Sequence, residues 1–537
     1  MFPILLSYLA CTSSKEIDSA QNIPSDSAIE QVDPGPEPNA EQPAPSLRRL
    51  TISQYRNIIF DIFSADIVIP SSLEPDTEVD GFLNIGASIS NISPVGIERY
   101  ESASYSIAEQ LVENETLLAT LLPCQSVTEI DQECWEEFLS ETGALLWRRP
   151  LSEVEISTLS GLMQTISAES DHQTGLIYLI SALLQSPNFL YRVEQGNNGV
   201  LSDIELASRL SFLLWNSAPD AQLLSIALEG GLSDPEQREA EVDRMMADSK
   251  FEQGLRNFFL ELFQLYALDD VVKDPLVFTH ASPDLYQSAK EETLLFLLNN
   301  VIEREDYRDI LTAQKTFVDR RLAALYNIAA PSAEGFGEVT LSETTNRRGL
   351  LMQASILNLN AHATSTSATL RGIFIRKNLL CQMIPAPPAN VDTSIPEADA
   401  ESPTLRERLQ SHLEDPSCAT CHEITDLVGL GFENFDGIGR WRNTENNATI
   451  DPSGSIDNIS FLDAWELAGV VKEHNNFGPC ISEKLYQYAL GHQTTDQEEE
   501  FVDWMATYLA ASDWSLQDLI RQLALSENFK HAGAQDD

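Results

Sequence analysis

Five residues in this chain, Cys418-Ala419-Thr420-Cys421-His422, have types and spacing that spell out a chemistry. Two cysteines three apart with a histidine directly after the second form the pattern of covalent c-type haem attachment. Each thiol adds to one vinyl group of a porphyrin, and the adjacent imidazole reaches the iron from the proximal side. Cysteine and histidine number only 7 and 8 among 537 residues. A chance match to the pattern is therefore on the order of one in a thousand. Zinc would want a second ligand pair, and no second C-x-x-C or H-x-x-H occurs in the sequence. A thioredoxin-like redox pair would want a strand before it, whereas the flanks here read as helix or loop. A plain structural pair of thiols is the remaining alternative.

The elements around the motif follow from local signals. Upstream stand Arg347-Arg348-Gly349, then Asn360-Ala361-His362, then Leu370-Arg371-Gly372 opening a helix expected over 372–381. Downstream, Gly429 to Arg442 is dense in glycine and calls for tight turns and close backbone approach. Phe432, Phe435 and Trp441 fit either a porphyrin face or ordinary core. Arg440 and Arg442 suit either haem propionates or local acids. Asp451 to Asp457 alternates oxygen donors but lacks the glycine and final glutamate of a calcium loop, and reads as a turn.

The remaining chain reads as several tandem helical modules, mainly α, with few strand signals beyond Val339 and Ile450. Residues 1–11 resemble an export or lipoprotein-type signal, in which Cys11 would be the lipidated residue, although no Lys or Arg precedes the apolar run. Residues 12–46 are polar, acidic and proline-rich, the composition of a disordered linker. A helical module follows over 47–112, opened by a capping box of Thr51 with Gln54. Gly81 to Pro94 reads as a loop within it. A second module over 121–195 holds Cys124 and Cys134, which are close enough for a local disulfide, and a second box, Ser152 with Glu155. A third module over 201–328 starts at Ser202 with Glu205. The c-type haem module spans 344–442, and a C-terminal helical module spans 458–532, its first helix expected over 460–473. Cys381 and Cys480 are left over as candidates for a long-range disulfide. Tandem arginines at 148–149, 320–321 and 347–348 are expected to pin acidic neighbours.

The formal charge is −50, from 83 acids against 33 bases. That excludes a nucleic-acid partner and docking on anionic lipid, and leaves a solvated acidic surface or steering toward a basic partner. Membrane contact is expected only through a lipid anchor.

The ordered chain resembles the multi-domain Planctomycete-type cytochrome c proteins. The marks of the resemblance are Arg48-Arg49-Leu50-Thr51, Arg148-Arg149-Pro150-Leu151, the run from Leu206 to Trp215, Arg348-Gly349-Leu350 through Arg371-Gly372, the haem motif with Glu433-Asn434-Phe435-Asp436, and Tyr488-Ala489-Leu490-Gly491. The resemblance implies an exported protein with covalent haem c on Cys418, Cys421 and His422. It carries no substrate and no activity. Relatives place Met-Asp-Pro or Ile-Asp-Pro just after the haem histidine, where this chain has Thr425-Asp426-Leu427, so that stretch offers no methionine as sixth ligand. His492 stands where relatives have arginine. His362 is the first candidate for the sixth position, followed by Met383 and His412, with His492 lower. The functional expectation is a periplasmic or cell-surface monohaem c-type cytochrome passing electrons to a redox partner or within an oxidative assembly. A peroxidase- or oxidase-type enzyme with an open iron site, and a surface binding or structural lipoprotein, are the alternatives. Whether the chain is an enzyme stays open between them.

Overall fold

Helices begin in this chain where a short polar side chain can take up free amides of the first turn. Thr51, Ser152 and Ser202 each accept a bond from the third residue of the helix, and Gln54, Glu155 and Glu205 bond back to the cap. These reciprocal pairs open the helices Ile52–Ile62, Glu153–Glu169 and Asp203–Leu214. Ser93 and Asp234 cap Pro94–Glu113 and Pro235–Ala247, each with proline in the first turn, where its missing N–H costs nothing. The computed structural model describes residues 33–44, 46–122, 132–385, 398–414 and 416–533, without the side chains of 411–421.

The fold is mainly α, built from tandem helical modules. Its strands are short antiparallel pairs. Arg48–Arg49 pairs with Tyr191–Arg192 and so binds the start of the first module to the end of the second. Lys315–Val318 pairs with Gly337–Thr340. Two hairpins turn at Asn446-Asn447 and Asp457-Asn458, all four with positive φ, as tight two-residue turns require. The Asp451–Asp457 stretch thus runs into a hairpin.

The modules do not keep separate cores. The first two share one, around Tyr55, Ile59, Tyr100, Leu179 and Phe189. The last three share another, from Trp215 and Phe258 through Phe435 to Leu485 and Leu519. Phe212, on a helix of the third module, packs into the first core and links the two.

Four stretches depart from the sequence expectations. Leu83–Ile89 is a helix inside the expected 81–94 loop, because the Glu261 carboxylate accepts from the amides of Leu83 and Asn84. Residues 33–44, expected within the disordered linker, are held along the C-terminal module. There Glu37 accepts from the Asn528 amide at 2.9 Å, Gln42 donates to the Asn528 carbonyl, and Trp504 donates to the Gly35 carbonyl. The helix expected over 372–381 is Ala368–Phe374 followed by a wider π turn, Ile375–Leu379. The helix expected from 460 starts at Ala464, where Asp463 caps it, after a strand Ile459–Phe461.

Candidate functional site

The C-x-x-C-H residues lie in the helix Pro416–Gly429. The side chains of Cys418, Cys421 and His412 fall outside the described residues, as do Cys11 and Cys124. His422 is described. Its Nδ1 lies 2.7 Å from Asp426 Oδ2, one helical turn on. Asp426 is fully buried. Its other oxygen, Oδ1, accepts from Thr369 Oγ1 at 2.7 Å and from Thr425 Oγ1 at 3.2 Å. A carboxylate held from a neighbouring helix therefore fixes the imidazole. With Nδ1 so engaged, Nε2 is the nitrogen through which this histidine would ligate a metal.

The neighbouring helix, Ala368–Phe374, approaches as closely as backbone allows. A Cβ at Gly372 would sit 1.9 Å from the Thr425 carbonyl oxygen, and one at Gly429 would sit 1.7 Å from that of Ala368. Two glycines at the crossing thus bring Thr369 within reach of Asp426. Arg376 adds a bond from Nε to the Ile424 carbonyl at 3.1 Å.

The loop after the motif helix is gathered round Arg371, also on that neighbouring helix. Its guanidinium donates to the carbonyls of Phe432, Phe435 and Asp436 at 2.8–3.0 Å. It also faces Glu433 at 3.4 Å, and Glu433 further accepts from Thr366 and Arg442. Burial pulls Arg371 down to about 10 and pushes the Glu433 carboxyl up, in each case against the attraction of the pair. Arg442 thus pairs with a local acid. Phe432 and Phe435 belong to the core, and Trp441 meets Phe435 edge-on at 5.1 Å.

The sixth-ligand candidates are not drawn to one place. His362 is exposed in a loop whose carbonyls, together with that of Asn358, bind Lys273 Nζ. Met383 is 95% exposed. His492 sits beside Glu498 at 3.5 Å, and its Nδ1 meets the Gln493 carbonyl. Cys381 and Cys480 form a disulfide across 99 residues, and Cys134 is disulfide-bonded.

The tandem arginines divide. Arg149 pairs with Glu155, and Arg321 with Asp284 and Asp319, as expected of them. Arg148 does not pin an acid; its guanidinium serves the carbonyls of Leu146, Asn188, Phe189 and Tyr191. Arg347 stacks on Tyr326 at 3.8 Å and donates to the carbonyls of Met352 and Gly439, while Arg348 stacks on Trp465. These two positions close chain turns whose carbonyls have no helical partner, a need that outweighs ion pairing.

Sequence reasoning passed over Asp426, although its spacing of four from His422 on one helix was a readable signal. It also passed over the buried group of Arg48, Arg192, Arg209 and Glu194, whose members are brought together only by the fold.

Fold and site together define a mainly helical, multi-module protein with a carboxylate-held histidine on its motif helix. Five family models match the chain in tandem, each described as a protein of unknown function. They are DUF1587 over residues 48–113, DUF1595 over 134–194, DUF1592 over 201–328, DUF1588 over 347–445 and DUF1585 over 457–529. The chain therefore has the Planctomycete-type architecture of these five domains, with His422 in the fourth. No curated protein and no solved structure matches it.

Proposed function

We propose that the chain is an exported c-type haem protein that transfers electrons. The observation that carries this reading is the His422–Asp426–Thr369 arrangement on the helix bearing the C-x-x-C-H motif. It is the second-sphere support that metal-ligating histidines use, a carboxylate on the far nitrogen that sets ring orientation and raises ligand basicity. Cys418 and Cys421 would hold the group covalently and His422 would ligate its iron, supplying one-electron chemistry when bound. Asp426 holds the ring, Thr369 holds Asp426, and the Gly372 and Gly429 crossing fixes the distance between their helices. The Cys381–Cys480 disulfide supports an extracytoplasmic setting. The net charge of −50 suits a basic redox partner. Among the described residues no helix is long and apolar enough to cross a membrane. Membrane attachment in this reading is through lipid on Cys11, which follows the apolar run of residues 1–10.

A second reading, a peroxidase- or oxidase-type enzyme, is favoured by Asp426 itself. A carboxylate partner makes a histidine a stronger donor than a carbonyl partner would. Carbon monoxide binding separates the two: an inert reduced protein is a carrier, a reactive one a catalyst.

The test is expression with a cytochrome c maturation system, haem staining after denaturing electrophoresis, and reduced-minus-oxidised spectra. Wild type should carry covalent haem and the double variant Cys418→Ala/Cys421→Ala should not. Wild-type protein without covalent haem would overturn both haem readings and leave a surface binding or structural lipoprotein.

A further inference from the structure

Away from the motif helix, four modules and the 33–44 strap meet over a group of buried arginines. Arg48, Arg192 and Arg209 converge on one carboxylate, Glu194, at 3.5, 2.8 and 2.6 Å. All four side chains are at least nine-tenths buried, in a chain whose overall charge is −50. The next carboxylate, Glu498, is fully buried and already accepts from Tyr486 and Thr495. His492, beside it, is kept toward its neutral form by burial and by Arg48 and Arg209. Three guanidinium groups thus share Glu194 as the carboxylate in contact with them, while Glu498 sits beside His492, which leaves a buried positive charge without a counterpart. Such a charge is costly unless something pairs with it.

The imbalance has an address. Arg209 is fully used, by Glu194 and by the carbonyls of Phe529 and His531. Arg48 is not: its Nε and Nη1 are buried and have no hydrogen-bond partner. Among the described residues its carboxylate partner is Glu194 at 3.5 Å, which Arg192 and Arg209 hold more closely. Arg48 and Arg209 line a cavity of ≈ 40 Å³ together with the Glu194 they share and with Gln42, Ser46, His492 and Ala532. One water needs about 10–15 Å³ on the same measure, so the cavity admits a group of a few heavy atoms. Its mouth lies at the exposed Ala44 and Ser46.

We propose that this cavity binds a small monovalent oxyanion, of the size and charge of formate or acetate, paired with Arg48. A buried positive charge without a counterpart, two unused donors and a cavity of a few atoms select a compact, singly charged acceptor. Gln42 and Ser46 come from the N-terminal strap and its continuation, and Ala532 from the chain's last described residues. An occupant therefore ties the strap to four modules.

The test uses the full chain in a buffer free of small carboxylates and chloride. Its thermal midpoint is followed against sodium formate, acetate, chloride and sulfate at matched ionic strength. Formate and acetate should raise the midpoint saturably, with chloride and sulfate giving only the unsaturating response of a general salt effect. Arg48→Met should lose the saturable response. Ser46→Glu changes an exposed residue and places a carboxylate at the mouth, so it should fold normally and bind formate at least tenfold more weakly by calorimetric titration. A wild-type midpoint that formate and acetate do not move saturably overturns the proposal. So does Ser46→Glu binding formate as tightly as wild type, and so does chloride or sulfate saturating the site as well as formate.

Discussion

Replacing Gly372 by alanine should do more damage than any conformational preference of the helix predicts. In an open helical position, glycine to alanine stabilises by roughly 0.5–1 kcal/mol. At Gly372 the new methyl would stand 1.9 Å from the Thr425 carbonyl oxygen. An ordinary carbon–oxygen contact needs about 3.3 Å, so the helices must part by more than an ångström. The Thr369–Asp426 bond, 2.7 Å in the native protein, cannot survive that movement. Losing a buried hydrogen bond to a charged group costs about 1.5–3 kcal/mol, and overpacking a tight contact another 1–3 kcal/mol. The sum is about 2.5–6 kcal/mol. Gly429→Ala meets the Ala368 carbonyl on the other side of the same crossing and should cost a similar amount. The double variant should cost clearly less than the two added together, because the helices part only once. Gly161 and Gly469 lie in helices with nothing near their missing Cβ and serve as controls, expected to stabilise on substitution. Urea denaturation of wild type and these five variants measures all of this. If Gly372→Ala costs less than about 1 kcal/mol, or if its cost adds fully to that of Gly429→Ala, the reasoning about this crossing is refuted.

The other expectations can be checked on the same material. Asp426→Asn should keep covalent haem but raise the midpoint potential by about 60 mV or more, the one-electron equivalent of a tenfold preference; an unchanged potential in a haem-loaded variant removes Asp426 from that role. Arg148→Lys should destabilise by roughly 2–4 kcal/mol, since an ammonium group cannot reach four carbonyls in the guanidinium's geometry, and a loss under 0.5 kcal/mol in denaturant titration would contradict it. Burial pushes the Glu261 carboxyl up from 4.5 to about 7. The native state then holds a proton there that the unfolded chain has released, so this contribution is complete below pH 4.5 and is lost as pH rises through about 7. The stability difference between wild type and Glu261→Gln should accordingly shift against wild type by roughly 2–3 kcal/mol between pH 5 and 8; a difference that stays constant with pH refutes it. Reduction of Cys381–Cys480, or its replacement by serines, should cost up to about 4–5 kcal/mol for a closed loop of 99 residues, read by denaturation with and without reductant.

What could be read from residues alone was whatever neighbours in sequence decide. Thr51 with Gln54 and Ser152 with Glu155 cap their helices within four residues, and both were legible, as was the mainly helical fold. The helix Leu83–Ile89 was not, because its cap comes from Glu261, nearly 180 residues away. The motif itself was plain, and the spacing of His422 from Asp426 was there to be seen. The part played by Thr369 was not, since it depends on two glycines allowing one particular helix crossing. The pairing of Arg148 and Arg347 with carbonyls was hidden for a similar reason. An arginine's charge suggests an acid, whereas a turn whose carbonyls lack partners appears only once the chain has turned.

The strap of residues 33–44 also sets an order of events. Glu37 and Ala40 bond to Asn528, so the stretch with which the described chain opens is seated on one that is made almost 500 residues later. The Arg48–Arg49 ladder to Tyr191–Arg192 can close early, once the second module has emerged. The strap cannot. Through most of synthesis and any translocation it must stay unseated, and contacts of such long separation are slow to find. Seating is then a checkpoint for completeness. A chain cut off anywhere before Asn528 leaves its strap exposed to proteases, and cleavage within residues 33–44 would report, molecule by molecule, which copies had been finished.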